Sequence, residues 1–368
     1  MFNFKLAELR KRKGITQKEL ADIFSVSMQT ISKWETGVAY PNIMMLATIS
    51  EYFEVSTDML LGVVPLEEEY EYSEAGNKEY WVNRVSYLEK IENDMWNEDY
   101  MQFLISNVWQ INKPITVLDC GCGYGALGLR LLPMLPEGSK YIGIDFSEEM
   151  IKKAKMRYAK ESYDTQFIVS DILEFDVKEK YDVVISQSFL RHVNNGRKIL
   201  QKMIDLLKPG GLFVSVECNR EFEANGLYIS GMDYEYLNNS TCLKNMWLRQ
   251  LETQERDYSI AMKMPQYLRE EGLENIGCRM NDKVVLVEPR MQNYKQKLED
   301  IVESEEWLDF DDVNDKIINL VNHGMTYAEA GEFCRQQREI GQYIKNSNEV
   351  SIVKVRGTII TYGSKAEI

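Results

Sequence analysis

Apolar residues in the first sixty positions recur at helical spacing in short runs that small polar residues and glycines interrupt. Leu20, Ile23 and Phe24 form one such stripe, Ile43, Leu46, Ile49 and Phe53 a second, and Leu60 with Leu61 a third. Thr16, followed three residues later by Glu19, predicts a capping box, with Gly14 breaking the chain before it. Ser27 predicts the cap of the next helix, which runs to about Thr36 and stops at Gly37. Pro41 and Asn42 open a further helix and Ser56 caps a last short one. From residue 115 the period changes. Runs of strand character, ITVLD, KYIGID, TQFIVSD, YDVVISQ and LLKPGGLFVSVE, alternate with helical spacers at 147–161 and 194–208. Strands and helices alternating through short links predict a parallel sheet covered on both faces.

Composition narrows the class. The 368 residues are 44% hydrophobic and 27% charged, as in a packed globular protein, and leave room for more than one domain. No apolar run reaches the roughly 20 residues of a membrane span, so no membrane partner is expected. The N-terminus reads as a helix rather than a signal peptide. The cysteines at 120, 122, 218, 242, 278 and 334 form no paired ligand array, which predicts free thiols, a cytoplasmic setting and no metal. Cys120 and Cys122, one glycine apart, read as small residues in a tight turn. The net charge of −15 argues against a surface that coats nucleic acid, yet residues 1–41 carry a small positive excess. One DNA-facing module on an acidic body is the pattern this predicts.

The segment ITQKELADIFSVSMQTISKWETG resembles the lambda-repressor-like (XRE) helix-turn-helix family over the whole of residues 1–62. The resemblance implies that the second helix of the motif enters the major groove of double-stranded DNA. By position, Gln17, Gln29, Thr30, Ser32 and Lys33 would face the DNA. It also implies that Arg10 and Glu35 form an ion pair tying the first helix to the recognition helix. One such domain covers a half-site, so a homodimer is expected.

ITVLDCGCGYG carries Asp119 at the end of a strand, then Gly121, Gly123 and Gly125. Such a loop lets a ligand approach the backbone at the positive end of the following helix. Alone it is ambiguous, because Gly121, Gly123 and Ala126 also fit a dinucleotide fingerprint with Asp145 as the ribose acid. Asp119 before the first glycine, Asp145, the Asp171-Ile172 step and the Lys208–Gly211 turn, in that order, resemble the class I S-adenosylmethionine-dependent methyltransferases over about 114–289. The resemblance implies S-adenosyl-L-methionine as cofactor. Asp119 would meet its amino group, Gly121, Gly123 and Gly125 would line its path, and Asp145 would hold the ribose. Asp171 and Ile172 would bind the adenine, Phe146 and Met150 would cover it, and Gln187 and Ser188 would border the methionine end.

The expected plan is therefore an all-α helix-turn-helix domain at 1–62, an acidic linker at 63–79, and a Rossmann-like methyltransferase core at 80–289 with N-terminal covering helices. A helical cap insertion at 290–348, opened by a Thr326/Glu329 capping box, and a final antiparallel strand of the same sheet at 349–368 complete it. Trp96 or Tyr100 in the covering helices would touch the ligand. A cap over the site suits a small-molecule acceptor; dimerisation is the rival use. His192 and Glu217 are the candidate catalytic residues, with His323 in the cap and Arg191 as further candidates. Two functions stay open: a small-molecule methyltransferase with a domain that regulates transcription, and a transcription regulator using the fold to sense S-adenosylmethionine or a metabolite. A DNA methyltransferase is disfavoured, because Ser186-Gln187-Ser188-Phe189 replaces the expected acid-or-amide, Pro-Pro and aromatic motif.

Overall fold

The computed structural model describes residues 4–62, 81, 85–254, 256–307, 313–347 and 349–367. The expected acidic linker lies outside them. The chain divides into two compact units, Met1–Glu71 with Phe310–Cys334, and Tyr72–Asp309 with Arg335–Ile368.

In the first unit five short helices follow the predicted punctuation: α1 (Leu6–Arg12), α2 (Gln17–Ile23), α3 (Met28–Glu35), α4 (Ile43–Phe53) and α5 (Thr57–Leu60). Thr16 and Glu19 form the reciprocal capping box. Ser27, Asn42 and Ser56 each accept an amide hydrogen three residues on. Each such cap contributes about 1 kcal/mol to helices too short to persist alone. Leu6, Leu9, Leu20, Ile31, Trp34, Ile49 and Leu60 close one core.

The second unit opens with α6 (Val85–Ile91) and α7 (Glu98–Phe103). Five strands follow, β1 (Thr116–Cys120), β2 (Lys140–Asp145), β3 (Asp164–Val169), β4 (Tyr181–Gln187) and β5 (Leu207–Cys218). Between them run α8 (Ala126–Leu131), α9 (Glu148–Tyr158) and α10 (Gly196–Asp205). Beyond β5 come α11 (Arg220–Ala224), β6 (Leu227–Ile229), α12 (Tyr234–Leu237), α13 (Thr241–Gln254), α14 (Ile260–Glu270), β7 (Glu274–Met280) and β8 (Val284–Val287). Helix α15 (Tyr294–Ser304) belongs to this unit, α16 (Val313–Asn322) to the first, and α17 (Tyr327–Asn346) is divided between them; β9 (Ile352–Val355) and β10 (Thr358–Ser364) close the second unit.

The main sheet has seven strands in the order β3-β2-β1-β4-β5-β10-β7, with β10 antiparallel to both neighbours. Alternate residues feed opposite cores, which is why the strands read as unbroken apolar runs. Val117, Tyr141, Ile185 and Val214 pack under Leu127 and Ile151, while Leu118, Ile144, Val184 and Phe213 pack under Ile199, Met203 and Leu268. Strand order reverses at β1/β4, and the carboxyl ends there frame a crevice.

Two expectations are corrected. Residues 349–368 are not one final strand: β9 and β10 belong to different sheets, and Gly357 (φ +63°) turns the chain between them. The 80–289 segment does not feed one sheet alone: β6 and β8, with β9, build a second, antiparallel three-stranded sheet, while the elements described within 290–348 are helices. The apolar side of this second sheet, Ile229, Val287 and Ile352, is sealed by Ile301, Trp307 and Ile340. Helix α14 starts at Ile260 and carries Pro265 inside it. Burial of Ile260, Ala261, Met264 and Leu268 on one stripe outweighs the hydrogen bond that Pro265 removes.

Candidate functional site

The glycine loop leaves β1 at the crevice. The amides of Gly121 and Cys122 both donate to the Ile144 carbonyl at the end of β2, at 2.9 and 3.0 Å, so the loop is held before any ligand arrives. Gly121 and Gly123 take left-handed backbone conformations at φ +73° and +53°. Their surroundings differ. A Cβ on Gly121 would lie 2.4 Å from the Phe189 ring, whereas a Cβ on Gly123 would meet no heavy atom within 4 Å. Gly123 thus faces open space that a side chain would fill, and Gly125 heads α8 as its N-cap.

Asp119 is 1% exposed. Its Oδ2 accepts the hydroxyl hydrogen of Tyr141, while Oδ1 is buried with no hydrogen-bond partner among the described residues. Gly143 stands opposite Asp119 in the β1/β2 register, and the space its side chain would need is taken by Cys122 Sγ, 2.7 Å from the Cβ position, and by the Phe167 ring. Burial pushes the Asp119 carboxyl up to about 7, the hydrogen bond from Tyr141 pulls it down, and the Asp145 charge adds to the rise. A buried carboxylate with one oxygen unsatisfied is the arrangement a cationic amino group would complete.

Asp145 ends β2 and is also buried. Its Oδ2 accepts from the Gly123 amide and its Oδ1 from the Ser147 amide, both at 2.9 Å. Burial raises this carboxyl and the two amides oppose the rise. Each oxygen retains a second lone pair, enough for the two hydroxyls of a ribose. Asp171 is exposed past β3, where its Oδ1 accepts from the Leu173 amide at 2.7 Å, and Ile172 is buried beside it. Phe146 is half-buried; Met150 is buried with Val85 and Tyr124, and Trp81 and Leu88 pack on that cluster. The segment before β1 therefore lies over the loop, but through different residues than expected. Trp96 donates to Gln187 Oε1 at 2.6 Å from within the core, and the Tyr100 hydroxyl donates to the Met280 carbonyl. Ser188, left-handed at φ 54°, is tied to β5, its amide donating a hydrogen bond to the Val216 carbonyl at 2.8 Å.

Glu217, near the end of β5, is 1% exposed and fully engaged. Its Oε1 accepts the amides of Phe189 (2.9 Å) and Leu190 (2.7 Å), and its Oε2 pairs with Arg191 at 3.3 Å. Burial raises its carboxyl against the pull of Arg191 and the two amides. Glu217 is thereby a clamp on the loop after β4 rather than a base open to substrate. His192 sits on that loop with its ring edge-on to Trp81, centroids 4.8 Å apart. His323 closes α16 in the other unit, its Nδ1 2.6 Å from the Asn319 carbonyl. The thiols of Cys120 and Cys122 are buried and held protonated, first by burial and then by the charge of Asp119. No metal-binding group of His, Cys, Asp or Glu occurs among the described residues. Tyr141 and Phe189 escaped the sequence reading; only strand register brings Tyr141 to Asp119, and only tertiary packing brings Phe189 to Gly121.

The helix-turn-helix face is arranged around a buried ion pair. Arg10 Nε and Nη2 donate to Glu35 at 2.6 and 3.1 Å, and Gln17 Nε2 donates to the same carboxylate at 2.8 Å. The pair expected between Arg10 and Glu35 is present, and Gln17 is partly committed to it. On α3, Ile31 and Trp34 turn inward while Gln29 and Lys33 are exposed. Thr30 shares a 2.9 Å hydroxyl contact with Ser27, and Ser32 is half-buried.

A family model described as a methyltransferase domain matches residues 111–266, and one described as helix-turn-helix matches residues 6–60. The ubiquinone biosynthesis O-methyltransferase of Bradyrhizobium sp. (strain ORS 278) is 32% identical over 120 residues, 33% of this chain and 46% of its own length. That of Brucella ovis is 35% identical over 118 residues, 32% of this chain and 46% of its own length. The chain thus spans about half the length of the curated relatives it matches. Among solved structures, the fold is similar to the phosphoethanolamine N-methyltransferase 2 of Haemonchus contortus, at 16% identity and a TM-score of 0.43 over 78% of this chain and 60% of that one. It is also similar to the N-methyltransferase NodS of Bradyrhizobium japonicum, at 22% identity and a TM-score of 0.28 over 33% of this chain and 60% of that one. Residues 111–266 of this chain are a methyltransferase domain, and residues 6–60 are a helix-turn-helix domain.

Proposed function

We propose that the chain is an S-adenosylmethionine-dependent methyltransferase of a small-molecule acceptor, carrying a domain that binds double-stranded DNA as a homodimer and regulates transcription. The observation that carries the reading is Asp119, a buried carboxylate with an unsatisfied oxygen beside the open backbone at Gly123. A nicotinamide dinucleotide offers its pyrophosphate to such a loop, and a buried acid there would repel it. A cationic amino group suits that acid instead. When bound, the cofactor supplies an electrophilic methyl group on sulfur. This chain's residues do the rest: Asp119 holds the amino group, Asp145 the ribose hydroxyls, and Asp171 with the Ile172 amide the adenine edge. Phe146 and Met150 cover the ring, and Gln187, fixed by Trp96, borders the methionine end with Ser188. With Glu217 occupied as a clamp, His192 is the residue we assign to proton removal where the acceptor requires it. Alignment of acceptor and methyl group supplies much of the rate.

Gln29, Thr30, Ser32 and Lys33 on α3, with Gln17 beside them, form the DNA-facing set. Titration with S-adenosylmethionine and NAD in parallel tests the cofactor; saturable binding of NAD alone would refute it. Release of S-adenosylhomocysteine with a metabolite extract tests the activity. The helix-turn-helix domain itself favours a second reading, a regulator whose DNA affinity responds to the bound cofactor. No release with any extract, together with cofactor-dependent operator binding, would select that reading.

A further inference from the structure

Beyond the clamp at Glu217 the chain builds a ring of opposite charges that the cofactor site does not use. Asn219 caps α11 directly after β5, and Arg220 begins that helix. Arg220 pairs with Glu223 three residues on. Behind Glu223 stands Arg356, 5% exposed at its side chain and 3.8 Å from Glu223, 3.3 Å from Glu305 and 3.5 Å from Asp94. Lys354 pairs with Glu305. The charges of Arg191 and Arg356 also act on Glu223, whose carboxyl the cations around it pull down to about 2 against the rise from burial.

The platform under Arg220 is rigid. The Asn219 amide donates to the Gly357 carbonyl at 2.9 Å, and the Cys218 thiol donates to the Arg356 carbonyl at 3.1 Å. A Cβ on Gly357 would lie 2.8 Å from the Glu223 backbone nitrogen and 3.0 Å from the Asn219 carbonyl oxygen. The turn between the two sheets is thus pressed against α11, so Arg220 rests on a fixed backbone.

Arg220 itself is not spent. Its guanidinium makes one hydrogen bond, from Nη1 to Glu223, among the described residues. A guanidinium has five N–H donors in a planar fork. Glu223 holds it charged against burial, with lesser contributions from Tyr87 and Tyr258, and 38% of its side-chain surface is accessible. Arg220 is therefore half-buried, with part of its side chain open to an incoming group. Trp247, buried, packs its ring 5.9 Å from that of Tyr258, which lies within electrostatic reach of Arg220. Arg191 acts on Glu223 as Arg220 does and, with Glu217, holds the loop carrying Phe189 and His192, which links this cluster to the crevice. Arg191, Arg220, Lys354 and Arg356 face Glu217, Glu223, Glu305 and Asp94.

We infer that Arg220 anchors the methyl acceptor, and that the acceptor is a small molecule with an aromatic or similarly flat body and a carboxylate or phosphate group. The inference rests on the methyltransferase reading for the word acceptor, but the anion subsite can be measured without it. Bidentate pairing with an anion uses the N–H groups that Glu223 leaves unengaged. Glu223 holds the guanidinium through Nη1.

The experiment is calorimetric titration of the full chain with benzoate, phenyl phosphate and neutral benzamide, each with and without saturating S-adenosylhomocysteine. At least one anion should bind tenfold or more tightly than benzamide, and the stronger of the two identifies the group the acceptor carries. Arg220→Met should erase that preference while S-adenosylhomocysteine affinity stays within twofold. Should Arg220→Met fail to fold because Glu223 loses its partner, the charge-balanced Arg220→Met/Glu223→Gln double variant takes its place. Equal binding of benzamide and both anions, or a preference that survives the loss of Arg220, overturns the assignment. Anion preference without any binding of S-adenosylhomocysteine would leave the subsite standing and remove the methyltransferase reading alone.

Discussion

Asp119 makes cofactor affinity a function of pH, and the size of the effect follows from its burial. Its carboxyl is pushed up to about 7, first by burial and further by Asp145, against the hydrogen bond from Tyr141. A group with that value is roughly one tenth ionised at pH 6, half at pH 7 and three quarters at pH 7.5. An amino cation binds the carboxylate and not the acid, so affinity for S-adenosylhomocysteine should rise about fivefold from pH 6 to pH 7 and then flatten. At pH 7 binding should release about half a proton, which calorimetry in two buffers of different ionisation enthalpy reads directly. Asp119→Asn should abolish the slope and weaken binding by the worth of a charged hydrogen bond, about 1.5–3 kcal/mol. The free protein should respond in the opposite sense. The native carboxyl titrates near 7 and the unfolded one near 3.8, so between those values the unfolded chain loses its proton first. Stability therefore falls as pH rises through that window, by at most about 4 kcal/mol, and is level above it. Without ligand, Asp119→Asn should consequently melt higher than the parent at pH 8. Affinity that is flat from pH 5.5 to 7.5, or equal in Asp119→Asn, would refute the role of Asp119.

The glycine loop offers a paired test. Gly123→Ala adds a methyl group to open space at a left-handed residue, so it should cost about 1–2 kcal/mol of stability yet block cofactor binding. Gly121→Ala drives its Cβ into Phe189 and should lower the melting temperature well beyond that. Glu217→Gln leaves Arg191 buried without its counter-charge, and thermal unfolding should show a loss of about 3–5 kcal/mol. A silent Glu217→Gln in the melt would remove the clamp. In the N-terminal domain, Arg10→Met should destabilise by about 2–3 kcal/mol, since Glu35 keeps only the amide of Gln17. Lys33→Ala should reduce the salt dependence of DNA binding by about one counterion, read from the slope of log affinity against log salt.

Local chemistry along the chain was enough to place the helix ends of the first unit. Thr16, Ser27, Asn42 and Ser56 each cap the helix that their position predicts, because capping is a contact between residues three apart. That these strands form a parallel sheet was legible for a related reason: strands buried on both faces read as apolar runs, and short helical links join parallel neighbours. Asp119, Asp145 and the glycines could be picked out because each sits at a strand end, where the crevice must open. Other features depend on residues far apart in sequence. Nothing near residue 352 announces that β9 pairs with β6 and β8, since a strand's partner is chosen by the whole sheet. Glu217 looked like a free acid until packing brought the amides of Phe189 and Leu190 onto it. Gly357 and Arg356 likewise gained meaning only where the turn between two sheets meets α11 and braces Arg220. Caps and apolar periods are written in neighbouring residues, whereas charge pairing and strand partnership are settled by which distant segments share the interior.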